Sequence, residues 1–459
     1  MSIRLRDHRR LLALAAFACL AWVLLSSRAD AAKQPDSSDP KARGATAARP
    51  DRLAAARGGA PPNILVIVTD DQRKRGSMSV MDDTRRLFAR GGVTFPNAYV
   101  TTPQCSPSRA SLFSGQYAHN HGVTDNQNSP NLDPDETFQR YLDENGYRTG
   151  FFGKYLAGVN RREEIPHFDE SFIGTNPEHA THDPRQDSFI AGKATRFLRQ
   201  AEERDRAPWL LVVGFRSPHK PFKPERQYRN AHVPGFESNP ATDETDFSDK
   251  NPSLSNAQVP GYISRRNPRG QRRMLLSVDD GVERIFSTME RRGEQDALSF
   301  YTSDNGYYWG EHDLTGKFLP YLDSLRVPLF MRWPGVLPEN TTDERLAANI
   351  DIAPTILQAT GAQARHQIDG RSLLASGSRD WLMFEGAPIS NHDGWPSWRR
   401  SYFDMTSHYF RWLDDFEELY DLDSDPWELQ NIAGERPDEV AQARARLEAA
   451  ADCAGASCP

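Results

Sequence analysis

Asn63-Ile64-Leu65-Val66-Ile67-Val68, followed at once by Thr69-Asp70-Asp71-Gln72, is an unbroken apolar run that ends in polar side chains. Alternating polarity would mark a strand with one wet face. An unbroken run suits a strand buried on both faces, as in the middle of a parallel sheet. Its polar residues stand just past the C-terminal end, where open α/β sheets build their sites. The pattern recurs twice. Trp209-Leu210-Leu211-Val212-Val213-Gly214-Phe215 runs into Arg216-Ser217-Pro218-His219-Lys220-Pro221-Phe222, and Ala297-Leu298-Ser299-Phe300-Tyr301 runs into Thr302-Ser303-Asp304-Asn305-Gly306. A helix at 275–290 lies between them, with Leu275, Val278, Val282, Ile285 and Met289 on one face. Thr137–Asn145 reads as another helix, stopped by Gly146 and followed by a strand at Thr149-Gly150-Phe151-Phe152. Such alternation predicts an α/β fold, a large and mostly parallel sheet flanked by helices on both faces.

Outward from this core the texture changes on both sides. Residues 32–60 are rich in Ala, Arg, Asp, Pro and Gly without apolar periodicity, and read as a disordered linker. Before them, Arg4, Arg6, Arg9 and Arg10, the apolar stretch Leu11–Leu25, and Ala29-Asp30-Ala31 form the three parts of an export signal over 1–31. Its apolar part is short for a membrane span, an uncleaved anchor being the alternative. Removing that segment takes away five Arg and two Asp, so the net charge moves from −7 to −10 and argues against a general nucleic-acid binder. After Gly370, the stretches 381–384, 402–403, 409–413 and 419–422 read as short strands of a smaller antiparallel sheet, with a terminal helix at about 437–450. The expected domains are therefore a main one at 61–375 and a C-terminal subdomain at 376–459.

Four cysteines remain to be placed. Cys19 lies within the signal, and Cys453 and Cys458 suit a small disulfide loop in an oxidising compartment. Cys105 is left over, and a free thiol in an exported chain calls for an explanation. A buried structural thiol is the plain one. Its neighbourhood, Cys105-Ser106-Pro107-Ser108-Arg109 opening a helix over Ser106–Ser114, points elsewhere.

That C-x-P-x-R pattern resembles the signature of the type I sulfatases, members of the alkaline phosphatase superfamily. Thr69-Asp70-Asp71-Gln72 and Ser303-Asp304-Asn305-Gly306 resemble the family's metal loops, and Ser217-Pro218-His219-Lys220-Pro221-Phe222 its P-H-x-P-F loop. Matches in order, including Ser324-Leu325-Arg326-Val327-Pro328 and Asp369-Gly370-Arg371, extend the resemblance from about residue 61 to 435. The resemblance implies an alkaline phosphatase-like fold and a maturation enzyme, the formylglycine-generating enzyme, that oxidises Cys105 to formylglycine. One hydroxyl of the hydrated aldehyde would attack sulfur and the other would expel sulfate, so the adduct needs no attack by water at sulfur. Asp70, Asp71, Asp304, Asn305 and the converted Cys105 would hold one calcium ion, and an oxygen-only set is in itself suited to a hard cation. Arg109 would hold the aldehyde hydrate and the anion pocket in place at the helix N-terminus. Lys154 and Lys317 would bind sulfate, and His219 would protonate the leaving alcohol or hold a sulfate oxygen.

One departure stands out. Many members carry a histidine two residues after the first lysine, where this chain has Leu156. The form Gly153-Lys154-Tyr155-Leu156 resembles the N-acetylglucosamine-6-sulfatase-like branch, with His119 and His121 as candidates for the missing base. The expected substrate is a sulfated amino sugar or glycosaminoglycan fragment, with aryl sulfates as surrogates. Specificity is expected in segments 159–188 and 233–272 and at Trp395 and Trp398. Two alternatives stay open. The first is a phosphodiesterase or phosphonate monoester hydrolase, although such relatives usually carry S-D-H-G where this chain has Asn305. The second is an inactive polyanion-binding protein, with Arg265, Arg266, Arg269, Arg272 and Arg273 as its surface and a solvated helix start as the plain reading of that cluster.

Overall fold

The computed structural model describes residues 61–157, 159, 164–174, 186–203, 207–259, 261, 266–386 and 395–459. The expected export signal and linker, and Arg265, lie outside the described residues. Among those described, no helix is long and apolar enough to cross a membrane.

In chain order the main elements are Ile64–Thr69 (β1) and Val93–Thr94 (β2), Cys105–Ser114 (α1) and Phe138–Glu144 (α2), Arg148–Gly153 (β3) and Glu170–Ile173 (β4). Gln186–Glu202 (α3), Trp209–Gly214 (β5), Asn267–Arg292 (α4) and Leu298–Ser303 (β6) follow. Leu329–Arg332 (β7), Thr341–Thr342 (β8) and Ile352–Thr360 (α5) complete the larger part. Eight strands form one sheet in the order β8-β2-β7-β6-β1-β5-β3-β4. β1 is central, parallel to both β5 and β6, and only β7 runs against its neighbours.

The apolar run of β1 is explained by two cores. Ile64, Val66 and Val68 enter one, beside α1, α2 and α5, while Leu65 and Ile67 enter the other, beside α3 and α4. A strand apolar on both faces has no polar side to set its register. Its ends do so: Asn63 Oδ1 accepts from the Trp209 amide at 2.7 Å, and Thr69 Oγ1 donates to the Thr302 carbonyl at 3.2 Å.

Helix α4 begins eight residues before the expected 275 because Arg272 is not on a solvated face. Its guanidinium donates to the Gly76 and Pro234 carbonyls and lies over the Trp309 ring. That residue leaves the proposed polyanion surface, whereas Arg266 and Arg269 are exposed.

The C-terminal strands Leu382–Glu385 (β9), Trp398–Phe403 (β10), Ser407–Trp412 (β11) and Glu417–Asp421 (β12) form an antiparallel sheet in chain order. Pro437–Ala449 (α6) covers it through Val440, Ala443 and Leu447. This sheet shares its core with Tyr99, Tyr117, Tyr308, Leu319 and Tyr321 from the preceding part. Cys453 and Cys458 are disulfide-bonded, and the tail beyond α6 is tied to the segment behind α1 by Tyr117 Oη donating to the Pro459 carbonyl.

Candidate active site

Strand ends and one helix start deliver the candidate residues to one place. β1 ends in Asp70 and Asp71, and β6 ends in Asp304 and Asn305. Successive residues of an extended chain point to opposite sides, so two adjacent aspartates would ordinarily diverge. Asp71 instead has φ +69°, in the left-handed region, which bends the chain so that both carboxylates converge. A ligand oxygen from each of Asp70, Asp71 and Asp304 and the sulfur of Cys105 all lie within 4.8 Å of one another, all buried.

Cys105 opens α1. Its Sγ is 3.5 Å from Asp70 Oδ1 and 2.7 Å from Lys317 Nζ. Burial pushes the thiol up to about 11 despite the pull of Lys154 and Lys317, so the unmodified cysteine is protonated at neutral pH and a weak nucleophile. The amide of Ser106 is capped by Asn126 Oδ1 at 2.9 Å, and Ser106 Oγ accepts from the Ala157 amide at 2.8 Å. One turn on, Arg109 is fully engaged with protein. It donates through Nε to Asp304 Oδ2 at 2.8 Å and through its other nitrogens to the carbonyls of Lys154 and Thr69. Its hydrogen bonds tie the ends of β1, β3 and β6 together beside residue 105.

Three cations face the three carboxylates. Lys154 Nζ is 2.6 Å from Asp70 Oδ2 and 3.6 Å from Asp304 Oδ2. Lys317 Nζ pairs with Asp71, and Arg109 with Asp304. Burial would raise the Asp70 carboxyl, but His219 and Lys154 outweigh it and hold it at about 2. Burial would likewise discharge Lys317, yet Asp71 and Cys105 keep it well above its ordinary value. His219 is held below its ordinary value, burial outweighing Asp70 and Asp71. Its Nδ1 lies 2.5 Å from the Lys220 carbonyl, which assigns the proton there and leaves Nε2 bare, 3.8 Å from Asp71.

Two glycines make this convergence possible. Gly153 ends β3 at φ +119°, and a Cβ there would sit 2.0 Å from the Gly214 carbonyl oxygen at the end of β5. A Cβ on Gly214 would in turn meet the Lys154 carbonyl at 2.3 Å. The close approach lets the Lys154 amide donate to the Gly214 carbonyl at 2.7 Å and fixes the start of the lysine side chain.

The donor set suits a hard divalent cation. Asn305 donates through Nδ2 to Asp71 Oδ1 and to the Gly306 carbonyl, both at 2.8 Å. Its Oδ1 is buried with no hydrogen-bond partner among the described residues, on the side chain that bonds Asp71. An orphaned amide oxygen within a set of hard oxygen donors is what calcium takes as a ligand.

A Sulfatase family model matches residues 62–362. The chain belongs to the sulfatase family. It is 34% identical over 349 residues to an extracellular sulfatase SULF-1 homolog of Drosophila melanogaster, covering 68% of this chain and 31% of that protein. A putative extracellular Sulf-1 homolog of Caenorhabditis elegans is 33% identical over 68% of this chain and 48% of its own length. The chain thus spans about a third and about half of these relatives. The N-acetylglucosamine-6-sulfatase of Capra hircus is 28% identical over 88% of this chain and 86% of that protein. Among solved structures, one in complex with its substrate D-glucosamine-2-N,6-O-disulfate superimposes with TM-score 0.71 at 22% identity, covering 85% of this chain and 97% of that one. The phosphonate monoester hydrolase of Agrobacterium radiobacter gives 0.69 at 23%, covering 84% and 95%. These likenesses show the fold, which is alkaline phosphatase-like.

In this sulfatase the other expectations divide. A cavity of about 290 Å³ is lined by Asp70, Cys105, Lys154, His219 and Arg216, with Leu156, Val159, Ile173 and Ile190 as apolar wall. Segment 159–188 reaches it through Val159, Ile173, Gly174 and Gln186, the rest lying partly outside the described residues, whereas no described residue of 233–272 lines it. His119 and His121 are turned to framework. His119 bonds Glu385 at 2.8 Å and the Cys453 carbonyl at 2.9 Å, and His121 bonds Ser111 at 3.0 Å. Neither lines the cavity, and among the described residues His219 is the imidazole that does. Trp398 is a core residue, 1% exposed, donating to the Phe318 carbonyl at 2.8 Å, and Trp395 packs beside Phe318. Both pack against Phe318, next to Lys317. Asn126 and Arg216 were not singled out, because single polar residues in irregular stretches carry no spacing pattern, while Gln186 falls within the expected segment 159–188.

Proposed function

We propose that the chain is an exported sulfate-ester hydrolase that works with formylglycine at position 105 and one calcium ion on sulfated sugars. The observation that carries this reading is the meeting of Cys105, three carboxylates and two lysines in one buried cluster at the wall of a cavity. Asp70, Asp71, Asp304, the Asn305 amide oxygen and the oxidised residue 105 would hold the calcium. Bound there, the ion would acidify a hydroxyl of the aldehyde hydrate and offset charge on sulfate.

The chain's own residues supply the rest. The carboxylates are already balanced by Lys154, Lys317 and Arg109, so a divalent cation leaves the site two charges positive, matched to a sulfate-ester monoanion together with the ionised hydroxyl that attacks it. Lys154 and Lys317 are point charges that both act on residue 105, suited to a tetrahedral anion. Arg109 acts by position, holding Asp304 and the Lys154 carbonyl. His219 presents Nε2 to the same cavity, and once protonated there, as a bound anion favours, it can hold a sulfate oxygen or pass that proton to the departing alcohol. Leu156 and Ile190 exclude water from one wall. The names of the extracellular and N-acetylglucosamine-6-sulfatase relatives support export and a sulfated amino sugar as substrate.

Phosphonate hydrolase neighbours keep a second reading in play, and the oxygen donor Asn305 favours the first. The test is protein made in a host with the maturation enzyme, assayed with calcium on N-acetylglucosamine-6-sulfate, 4-nitrophenyl sulfate and a phenylphosphonate ester. Mass spectrometry of the peptide ending at Arg109 should show the aldehyde or its hydrate. Sulfate release that stops on chelation is expected. Faster turnover of the phosphonate ester, or an unmodified thiol in active protein, would sink the proposal.

A further inference from the structure

Arg216 is the charged group of the cavity that the reaction leaves unused. It follows β5 by two residues, and its carbonyl accepts from the His219 amide at 3.0 Å, so its backbone is fixed by the same turn that presents His219. The side chain is half-buried in the wall that also holds Cys105, Lys154 and His219. Lys154 in this wall is matched by Asp70 and Asp304. Arg216 has no ion pair or hydrogen-bonded side-chain partner among the described residues. Gln186, 8% exposed at the start of α3, lines the same wall with an amide that makes no side-chain hydrogen bond among the described residues.

An unmatched guanidinium facing a concave site is a binding element for an anion, because its planar fork meets a carboxylate or a sulfate with two parallel hydrogen bonds. Partial burial lowers the local dielectric and strengthens that contact relative to one in open water. At about 290 Å³ the cavity lies at the small end of ligand sites, so it takes roughly one sugar ring with its substituents. We propose that Arg216 recognises a second anionic group on the substrate, distinct from the sulfate ester that is cleaved, so that the preferred substrate is a sugar unit carrying at least two negative charges. This rests on the sulfate-ester reading above and narrows its substrate class. The second anion is either an N-linked sulfate on the same ring or the carboxylate of an adjoining uronic acid, the two sharing one bidentate chemistry.

The test separates this inference from the reading beneath it. Calcium-loaded Cys105→Ala protein, which binds without turnover, is titrated calorimetrically with three ligands: N-acetylglucosamine-6-sulfate, glucosamine-2-N,6-O-disulfate, and a 6-sulfated disaccharide bearing one uronate. One or both of the doubly charged ligands should bind about 10- to 100-fold more tightly than the first. The added Arg216→Ala change should bring that ratio close to one, and Arg216→Lys should restore part of it. Whichever dianion loses its advantage identifies the group. Equal affinity for all three ligands, absence of binding, or an advantage that survives Arg216→Ala overturns the inference. The cleavage chemistry is judged separately, by whether the unsubstituted enzyme releases sulfate from any of the three.

Discussion

Cys105 sits where one atom's identity determines the outcome. Its thiol is protonated at neutral pH by burial, so activity depends on what replaces it. Cys105→Ala removes only a buried sulfur, and the variant should lose sulfate-ester hydrolysis to background while melting within a few degrees of the parent. Residual turnover near the parent's would refute the mechanism. Gly153 makes a different demand. At φ +119° and with a Cβ directed 2.0 Å from a carbonyl oxygen, Gly153→Ala has to push β3 away from β5. A loss of stability on the order of 2–4 kcal/mol is expected, together with weaker sulfate binding as Lys154 moves. Denaturant unfolding and KM measure the two effects. The residue types of the site were legible because strand-end loops repeat a recognisable order. The bend at Asp71 and the bonding of Arg109 were not, since both depend on neighbours more than 190 residues away.

Elements meet at Asp187, near the start of α3. Its carboxylate accepts from Ser217, in the loop after β5, and from Ser277 of α4 at 2.8 Å, while Oδ1 has no partner among the described residues. Burial, with Glu225 adding to it, lifts this carboxyl from 3.8 to about 7 against the pull of the serine hydroxyls. A carboxyl whose folded value is raised favours the fold most when protonated. Its contribution is complete below about pH 4 and is lost as pH rises through about 7. Asp187→Asn stays neutral throughout. Relative to the parent, the variant should gain stability between pH 4 and 8 by a few kcal/mol, and the difference should level off above that range. A difference in melting temperature that stays flat with pH would show that the carboxyl does not titrate there. The helix at 275–290 was legible from its apolar stripe, yet its first two turns were not, because an arginine reads as exposed until its carbonyl partners are known.

On the scale of the molecule, the smaller sheet is joined to the larger part by buried charge as well as by shared apolar core. Lys250, fully buried, donates to Tyr420 Oη at 3.1 Å and to the Glu428 carbonyl at 2.8 Å, and lies 3.3 Å from Glu244. Removing one partner strands the others, so Lys250→Met should cost about 3–5 kcal/mol. Because core and network cross between the two parts, scanning calorimetry should record one unfolding transition for residues 61–459 rather than two. Separate transitions would mean that 376–459 folds independently. By itself the sequence determined the four central strands of the large sheet, the strands of the small one, the disulfide and the family. Each of these is written in local spacing, in periodicity or in short motifs that need no knowledge of distant contacts. Tertiary structure alone decided which charges meet. It placed three cations against three carboxylates, turned His119, His121 and Trp398 into framework, and left Arg216 in the cavity wall unmatched among the described residues. Electrostatic pairing and burial depend on distances between segments far apart in the chain, and spacing along a sequence does not encode them.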